Sequence, residues 1–463
     1  MVEIRLHNLP KSWTSIKLRD VIDIIPLTGK KLKQSEYLEE GKVPVIDQGQ
    51  SFIGGYTDKV EMKINCTSPV IVFGDHTKVI KYVNFDFIAG ADGIKVIKPE
   101  EVFIPKLFFY FLQAVPLPDR GYSRHFQFLE KSLIPIPPLP EQHRIVAKIE
   151  ELFSDLDAGA EALRKAKAQL RLYRQAVLKA AFEGRLTAAW REAHKVEKFI
   201  GDNSNLIQEN APDLFALPRG WGWAKLNIVC NKIQDGSHFS PKVQYDSPAE
   251  GRYLYITAKN IKENGIDLSN VTYVDNDFHK SIIDRCNPGK GDVLLIKDGV
   301  KTGIAAINQL KTEFSLLSSV ALFKTNKMIL LPHYLKHYLN SPVGFRMITG
   351  QMTGTAIKRI ILDKLRTSYI PLAPFPEQQK IVEEIERLLS IANEVENSID
   401  RGLKQSRIMR QSILKKAFQG GLVPQDPEDE PAAELLKRIK AEKAGHPAGR
   451  RSHAGIKRTE KLW

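Results

Sequence analysis

The sequence predicts an α+β protein in which two globular domains are separated by two long antiparallel helices that form an intrachain coiled coil, the whole arising by internal tandem duplication. Three observations carry this. The segment PLPEQHRIVAKIEELFSDLD, from Pro138, returns as PFPEQQKIVEEIERLLSIAN from Pro374. Each copy opens a run in which apolar residues alternate at spacings of three and four. Each run follows a stretch of short β-prone segments punctuated by Gly, Asp and Asn.

The repeat stays in register from end to end. Pro140 matches Pro376, an offset of 376 − 140 = 236, and RQAVLKAAFEGRL (174–186) meets RQSILKKAFQGGL (410–422) at the same offset. Across 134–186 and 370–422, 22 of 53 positions are identical, which sets aside chance similarity between two unrelated helices. Proline in the first turn leaves no backbone N–H unused, Glu141 and Glu377 place a carboxylate at the positive helix end, and Gly184 and Gly420 fall where a left-handed cap is expected. The predicted seam is Ile149, Leu152, Leu156, Gly159, Leu163, Ala166, Leu170, Tyr173 and Val177 in the first copy. In the second it is Ile385, Leu388, Ala392, Val395, Ile399, Gly402, Ser406, Met409 and Ile413. A helix of this length runs roughly 65 Å, more than one compact domain needs, so it reads as a spacer. The two seams sit in one chain at matched length, which favours pairing with each other over homodimerisation. Gly159, Gly402 and Ser406 suggest close approach or imperfect packing midway.

The globular domains open alike, LPKSWTSIKL at Leu9 and LPRGWGWAKL at Leu217, an offset of 208, so the second is 236 − 208 = 28 residues longer. VPVIDQ, SPVIVFGDH and AGADGIKVIKP in the first, and RYLYITAKN, NGIDLSNVTYVD and GDVLLIKDG in the second, are strand candidates. IPKLFFYFLQAV and LPHYLKHYLNSP read as a short helix closing each domain. The expected boundaries are 1–139 and 216–375 for the domains, 140–186 and 376–423 for the long helices, 187–215 for a linker and 424–463 for a basic tail expected to be flexible.

Composition narrows the class. The chain of 463 residues exceeds one ordinary core, and 43% hydrophobic residues suffice to bury two or three. No apolar run of membrane-spanning length and no signal-peptide core occurs in the sequence, so a cytoplasmic location is expected. Cys66, Cys230 and Cys286 lie far apart, which argues against a disulfide framework or a structural zinc site. The formal charge of +14 favours a polyanionic partner. Nine Lys and Arg against two Glu between 437 and 461 place a net +7, half of the excess, near the carboxyl end. Two unlike domains held apart on a basic chain form a physical template for reading two separated patches of duplex, with half-sites about 34 Å apart as the standard spacing for paired domains.

The PEQ helix starts, the RQ(A/S)(V/I)LKxAFxG ends, DGSHFSPK (235–242) and YITAKNI (255–261) resemble the specificity subunit of type I restriction-modification enzymes across nearly the whole chain. VIDQGQ, GGYTD, VFGDHT, ADGIKV and GYSRHFQFL in the first domain look like loops of that family's target recognition domains, and EPAAELLKRIKAEK resembles its usual ending. The resemblance implies a subunit without catalysis of its own. Each domain would read one half of an asymmetric bipartite target in double-stranded DNA. The helices would set the spacing and dock two methyltransferase subunits, with two restriction subunits in the full complex. No cofactor is expected on this chain; S-adenosylmethionine, ATP and Mg are expected on the partners. Residue patterns agree with a non-enzyme: the one Pro-Pro pair, Pro137-Pro138, leads into a helix rather than forming an Asn/Asp-Pro-Pro-aromatic loop, and neither a GxxxxGK(S/T) loop nor an HExxH helix occurs. The rival readings are a coiled-coil scaffold binding protein or RNA, and an orphan specificity subunit.

Base reading calls for Arg or Lys toward guanine, Asn or Gln toward adenine and small hydroxyls, on loops able to enter a groove. The candidates in the first domain are Lys30, Lys31, Lys33, Gln48, Gln50, His76, Lys78, Arg120, Arg124 and His125. In the second they are Ser237, His238, Lys242, Lys259, Asn260, Lys297, Lys301, Thr302, Lys358 and Arg359. Residues identical in both long helices and off the predicted seam are candidates for two equal partner surfaces: Glu141, Gln142, Arg174, Gln175 and Lys179, with Glu377, Gln378, Arg410, Gln411 and Lys415.

Overall fold

The computed structural model describes residues 9–90, 93–118, 121, 123–194, 215–350 and 359–445. They fall into two compact units, one of Met1–Leu163 with Arg401–Trp463, the other of Arg164–Asp400. The first unit is therefore assembled from both ends of the chain.

In the first unit the strands are β1 (Thr14–Lys17), β2 (Ile22–Ile24), β3 (Lys31–Leu32), β4 (Val43–Ile46), β5 (Gly55–Thr57), β6 (Val70–Gly74), β7 (Ile80–Val83), β8 (Ile88–Gly90), β9 (Ile94–Pro99) and β10 (Leu133–Ile136). One sheet runs β2-β9-β6-β7 and is antiparallel throughout. Another runs β3-β8-β4-β5, with β8 parallel to both β3 and β4. β1 pairs with β10 separately. The run VIVFG forms a central strand buried along its whole length, as an apolar run flanked by turn residues should. α1 (Pro105–Ala114) starts on the proline and buries Leu107, Phe108, Phe111 and Leu112 on one face, and α2 (Phe126–Leu129) is a single turn.

The second unit contains α4 (Ala188–Ala193), β11 (Gly222–Lys225), α5 (Leu226–Val229), β12 (Cys230–Asp235), β13 (Arg252–Ile256), β14 (Ile261–Lys262), β15 (Gly265–Ile266), β16 (Thr272–Asp275), α6 (Asn276–Ile283), β17 (Val293–Ile296), β18 (Ala305–Ile307), β19 (Phe314–Leu316), β20 (Val320–Thr325), α7 (Pro332–Asn340), α8 (Pro342–Thr349), α9 (Leu362–Thr367) and β21 (Tyr369–Leu372). Its antiparallel sheet runs β12-β20-β17-β18, and a second runs β16-β13-β19 with β13 parallel to β19. Strand order and sense repeat those of the first unit, except that β3 has no counterpart among the described residues of the second. The duplication extends through the sheets, although little beyond the opening decapeptides shows it in sequence. Among the described residues the β14-β15 hairpin has no counterpart in the first unit, and α6 stands where the first unit has a single 3-10 turn at Val60–Met62.

The two PEQ segments open α3 (Leu139–Phe182) and α10 (Phe375–Phe418), each of 44 residues. Within the first unit the chain numbers of contacting residues run in opposite directions: Leu163 faces Gly402, while Arg410 pairs with Asp157 and stacks 4.3 Å over Phe153. Within the second, Lys167 meets Asp400 at 2.7 Å and Arg174 meets Glu396 at 2.8 Å and Asn393 at 2.7 Å. The helices are antiparallel in both units. Phe418 packs edge-on to Phe111 at 4.8 Å in the first core, and Phe182 to Tyr338 at 5.3 Å in the second.

The seam differs from the prediction in one respect. Ile149, Leu156, Leu163, Leu170 and Val177 face inward as expected, but the alternate position falls one residue later, at Phe153, Ala160, Lys167 and Arg174. Gly159 and Tyr173 are exposed. The second helix shifts in the same way: Glu396 and Arg410 turn inward, whereas Val395 and Met409 are exposed. The apolar pattern alone favoured Tyr173 and Met409. Cross-helix ion pairs and cation stacking instead admit the long side chains of Arg174 and Arg410, whose stems are apolar.

Two segments expected to be featureless are structured. The stretch read as a linker begins with α4, and the segment from 424 carries α11 (Ala432–Gly445), whose Ala432 is buried in the first core beside Leu435 and Ile439. The end of the tail lies outside the described residues.

Candidate nucleic-acid interface

In the first unit four loops converge on Asp75, at the end of β6. Its N–H donates to the Gly93 carbonyl at 2.6 Å, its carbonyl accepts from the His125 N–H at 2.9 Å, and its carboxylate accepts from the Phe126 N–H at 2.8 Å. The loop after β4 joins them: the Gln48 carbonyl accepts from Thr77 Oγ1 at 2.7 Å and Gln48 Oε1 from the His76 N–H at 3.3 Å. Lys81, buried on β7, donates to the Ser51 carbonyl at 2.6 Å and approaches Asp47 at 3.4 Å. Burial pulls the Lys81 ammonium below its usual range, with Asp47 opposing the shift. Gln50 and Arg124 are exposed on this loop group, and Gln48, His76 and Lys78 are half-buried in it. Lys78 adopts a left-handed φ of 60°, a conformation that disfavours a lysine and that the surrounding contacts hold in place. Lys30, Lys31 and Lys33 lie at β3, beside a shallow cleft bordered by Thr28 and Lys95.

In the second unit a buried aspartate also gathers loops, but at a different place in the fold: Asp235 ends β12, the counterpart of β2 rather than of β6, and its side chain is 3% exposed. Lys297 lies 3.2 Å from Oδ2, while Arg285 at 3.6 Å and His238 at 3.2 Å share Oδ1. The 235–239 loop is pinned by the Ser237 N–H on the Leu316 carbonyl at 2.7 Å, and a Cβ on Gly236 would come within 1.9 Å of that same oxygen, so only glycine fits. The turn after β17 is held where Ile360 N–H donates to the Lys297 carbonyl at 2.8 Å. Arg359 sits 3.8 Å from Asp298. His238, Lys242, Lys259, Lys301 and Arg359 are exposed, and Thr302, half-buried, donates to the Gly299 carbonyl at 2.6 Å.

Four proposed contacts are instead internal. His125 is fully buried, with Nδ1 3.0 Å from the Asp75 carbonyl. Ser237 spends its hydroxyl on the Phe239 carbonyl at 2.8 Å, and Asn260 accepts from the Thr257 N–H at 3.0 Å and donates to the Asp267 carbonyl at 3.1 Å. Lys297 is 2% exposed and neutralised by Asp235. Hydroxyls, amides and cations near Gly-rich turns stabilise those turns as readily as they read bases, and burial decides between the roles. Arg120 and Lys358 lie outside the described residues. Asp75, Asp235, Lys81 and Arg285 were missed. The Asp in GDHT and in DGSH was the available signal.

The partner-surface candidates divide as well. Glu141 and Gln142, with Glu377 and Gln378, are buried at the helix starts. Glu141 accepts from Trp13 Nε1 at 2.9 Å and Gln425 Nε2 at 2.7 Å; Glu377 accepts from Trp221 Nε1 at 2.8 Å, Thr187 Oγ1 at 2.7 Å and Arg191 Nε at 3.0 Å. Gln142 bridges the Ile104 N–H and the Val102 carbonyl, and Gln378 bridges the Leu331 N–H and the Ile329 carbonyl in the same way. Their identity in both copies serves domain anchoring. Arg174 and Arg410 are engaged across the helix pair. Gln175, Lys179, Gln411 and Lys415 remain on the exposed faces.

Residues 10–165 and 218–405 each match the family described as Type I restriction modification DNA specificity domain. The chain belongs to that family. Among its relatives, the EcoBI specificity subunit of Escherichia coli is 29% identical over 68% of this chain and 65% of its own length. The EcoDI specificity subunit of Escherichia coli is 24% identical over 94% of this chain and 96% of its own. A chain solved in work on complex assembly and conformational transition of the type I R-M system shares the fold with a TM-score of 0.62 at 18% identity, covering 90% of this chain and all of that one. The two matched segments coincide with the two sheet-bearing units and the starts of their helices. Among the described residues no helix is long and apolar enough to cross a membrane.

Proposed function

We infer that this protein is the DNA-sequence specificity subunit of a type I restriction-modification complex, the recognition component rather than a catalytic one. The observation that carries the reading is the duplicated domain: one main-sheet order built twice, with loops held by a buried aspartate at different places in the two copies, Asp75 and Asp235, and different residues exposed at the tips. Alike scaffolds with unlike tips suit a bipartite target of two unlike halves. Exposed lysines contribute binding through phosphates with little regard to sequence, whereas Gln50, Arg124, His238 and Arg359 have the chemistry to discriminate bases. The matched exposed pairs Gln175/Gln411 and Lys179/Lys415 offer equivalent faces to two methyltransferase subunits. Those partners supply S-adenosylmethionine and methylate adenine, while two restriction subunits bring ATP and Mg; the complex acts in the cytoplasm.

Co-expression with the cognate methyltransferase subunit in a methylation-free host, followed by mapping of N6-methyladenine, tests this. A split motif with unlike halves is expected, and exchanging residues 216–375 for those of a relative should change one half alone. A stable complex that leaves no new methylation would refute the reading.

A further inference from the structure

We propose that Phe239 and Val300 are specificity-determining residues of the second domain, each burying its side chain against an apolar base surface in the second half-site. The inference rests on the DNA-reading role above and adds the chemistry of that site. Phe239 is 81% exposed and Val300 is completely so. Isolated apolar side chains on a surface are ordinary. These two differ in their mounting. Phe239 is fixed by Ser237, whose hydroxyl donates to its carbonyl at 2.8 Å and accepts its N–H at 3.1 Å, and the same loop is tied down by Asp235. Val300 tips a turn closed by the Thr302 N–H on the Gly299 carbonyl at 3.1 Å, three residues from Lys297, the buried partner of Asp235. One buried ion pair thus braces two loops, each ending in an apolar side chain held out in water.

The surroundings identify the occupant. His238, Arg285 and Lys301 expose cationic or polarisable groups beside these tips, which fits a phosphate-lined surface rather than an apolar protein face. On a duplex the apolar features are the thymine 5-methyl group and the plane of an unstacked base. The equivalent turn of the first domain, between β6 and β7, carries Asp75, His76, Thr77 and Lys78 instead, so the two halves would be read by different chemistry.

The test uses the full chain assembled with its methyltransferase partner, on duplexes bearing the mapped target. Phe239→Ala and Val300→Ala should each weaken specific binding about tenfold, leaving binding to unrelated duplex, first-half preference, salt dependence and thermal unfolding unchanged. If a thymine methyl is the contact, uracil in the second half should cost the native protein a similar factor and cost Phe239→Ala nothing more. If an unstacked base is the contact, 2-aminopurine in the second half should brighten with the native protein and stay dark with the variant. The proposal fails if both variants bind as the native protein does, if specific and unrelated duplex weaken equally, or if neither probe responds. A native protein with no split-sequence preference would instead overturn the underlying role.

Discussion

The two helix starts answer one structural problem with different chemistry. At each, a PEQ glutamate is buried and takes the indole N–H of a tryptophan, Trp13 for Glu141 and Trp221 for Glu377. Those tryptophans occupy matching places in LPKSW and LPRGW. The third partner differs. Glu141 is met by the neutral amide of Gln425, with Arg144 turned to Asp429 at 2.6 Å, whereas Glu377 is met by the Arg191 guanidinium at 2.9 Å. The second copy is a charge-compensated clamp and the first relies on neutral hydrogen bonds. Duplication fixed the carboxylate and the indole, and the segment arriving after each cap glycine was free to diverge.

The largest expected effect comes from removing the carboxylates. Glu377→Ala strands the nearly buried Arg191 cation and should destabilise the second unit by about 3–5 kcal/mol. Glu141→Ala leaves the buried Trp13 indole N–H unsatisfied, while exposed Gln425 keeps the Gly420 carbonyl and water, and should cost the first unit about 1–3 kcal/mol. Hydrogen exchange resolved by unit gives both numbers in one protein, and equal losses would erase the distinction between the clamps.

A pH series sharpens it. Burial raises the Glu141 carboxyl above its ordinary 4.5, although Trp13 and Gln425 stabilise the charged form. The folded first unit therefore holds this proton more tightly than the unfolded chain. The resulting stability is fully present below the ordinary value and is lost as pH rises through the folded one. Relative to Glu141→Gln, which cannot titrate, the native first unit should lose stability as pH rises from about 4.5 toward neutrality. Denaturant midpoints of the two proteins across that window measure the difference, and parallel curves would mean that Glu141 does not carry it.

What the sequence disclosed follows the range of the forces involved. The repeat, the antiparallel helices, the cap glycines and the short closing helices were legible because they rest on local spacing; Gly184 and Gly420 adopt φ of 71° and 75° as expected. The burial of Glu141 was not, since its partners Trp13 and Gln425 lie 128 and 284 residues away and a glutamate in a first turn already has a local explanation. The shared sheet order was hidden for another reason. VIVFG and VLLI need only be apolar to fill equivalent strands, so they keep their pattern and lose their identity. In the turn after β17, Lys297 and Lys301 looked alike in KDGVKTG, and only the position of Asp235 separates a buried brace from an exposed cation.

The smallest effect tests the midway glycines, which the sequence grouped together. A Cβ on Gly159 would meet nothing within 4 Å, whereas one on Gly402 would lie 3.0 Å from Leu163 Cδ1. Glycine within a helix costs about 0.5–1 kcal/mol relative to alanine through lost backbone entropy, and Gly159→Ala should recover that amount. Gly402→Ala gains the same propensity but forces Leu163 to move by a few tenths of an ångström inside the helix pair, so its net change should fall near zero. A stabilisation by Gly402→Ala as large as that by Gly159→Ala would show that the helices tolerate a wider separation there, and that Gly402 does not set their approach.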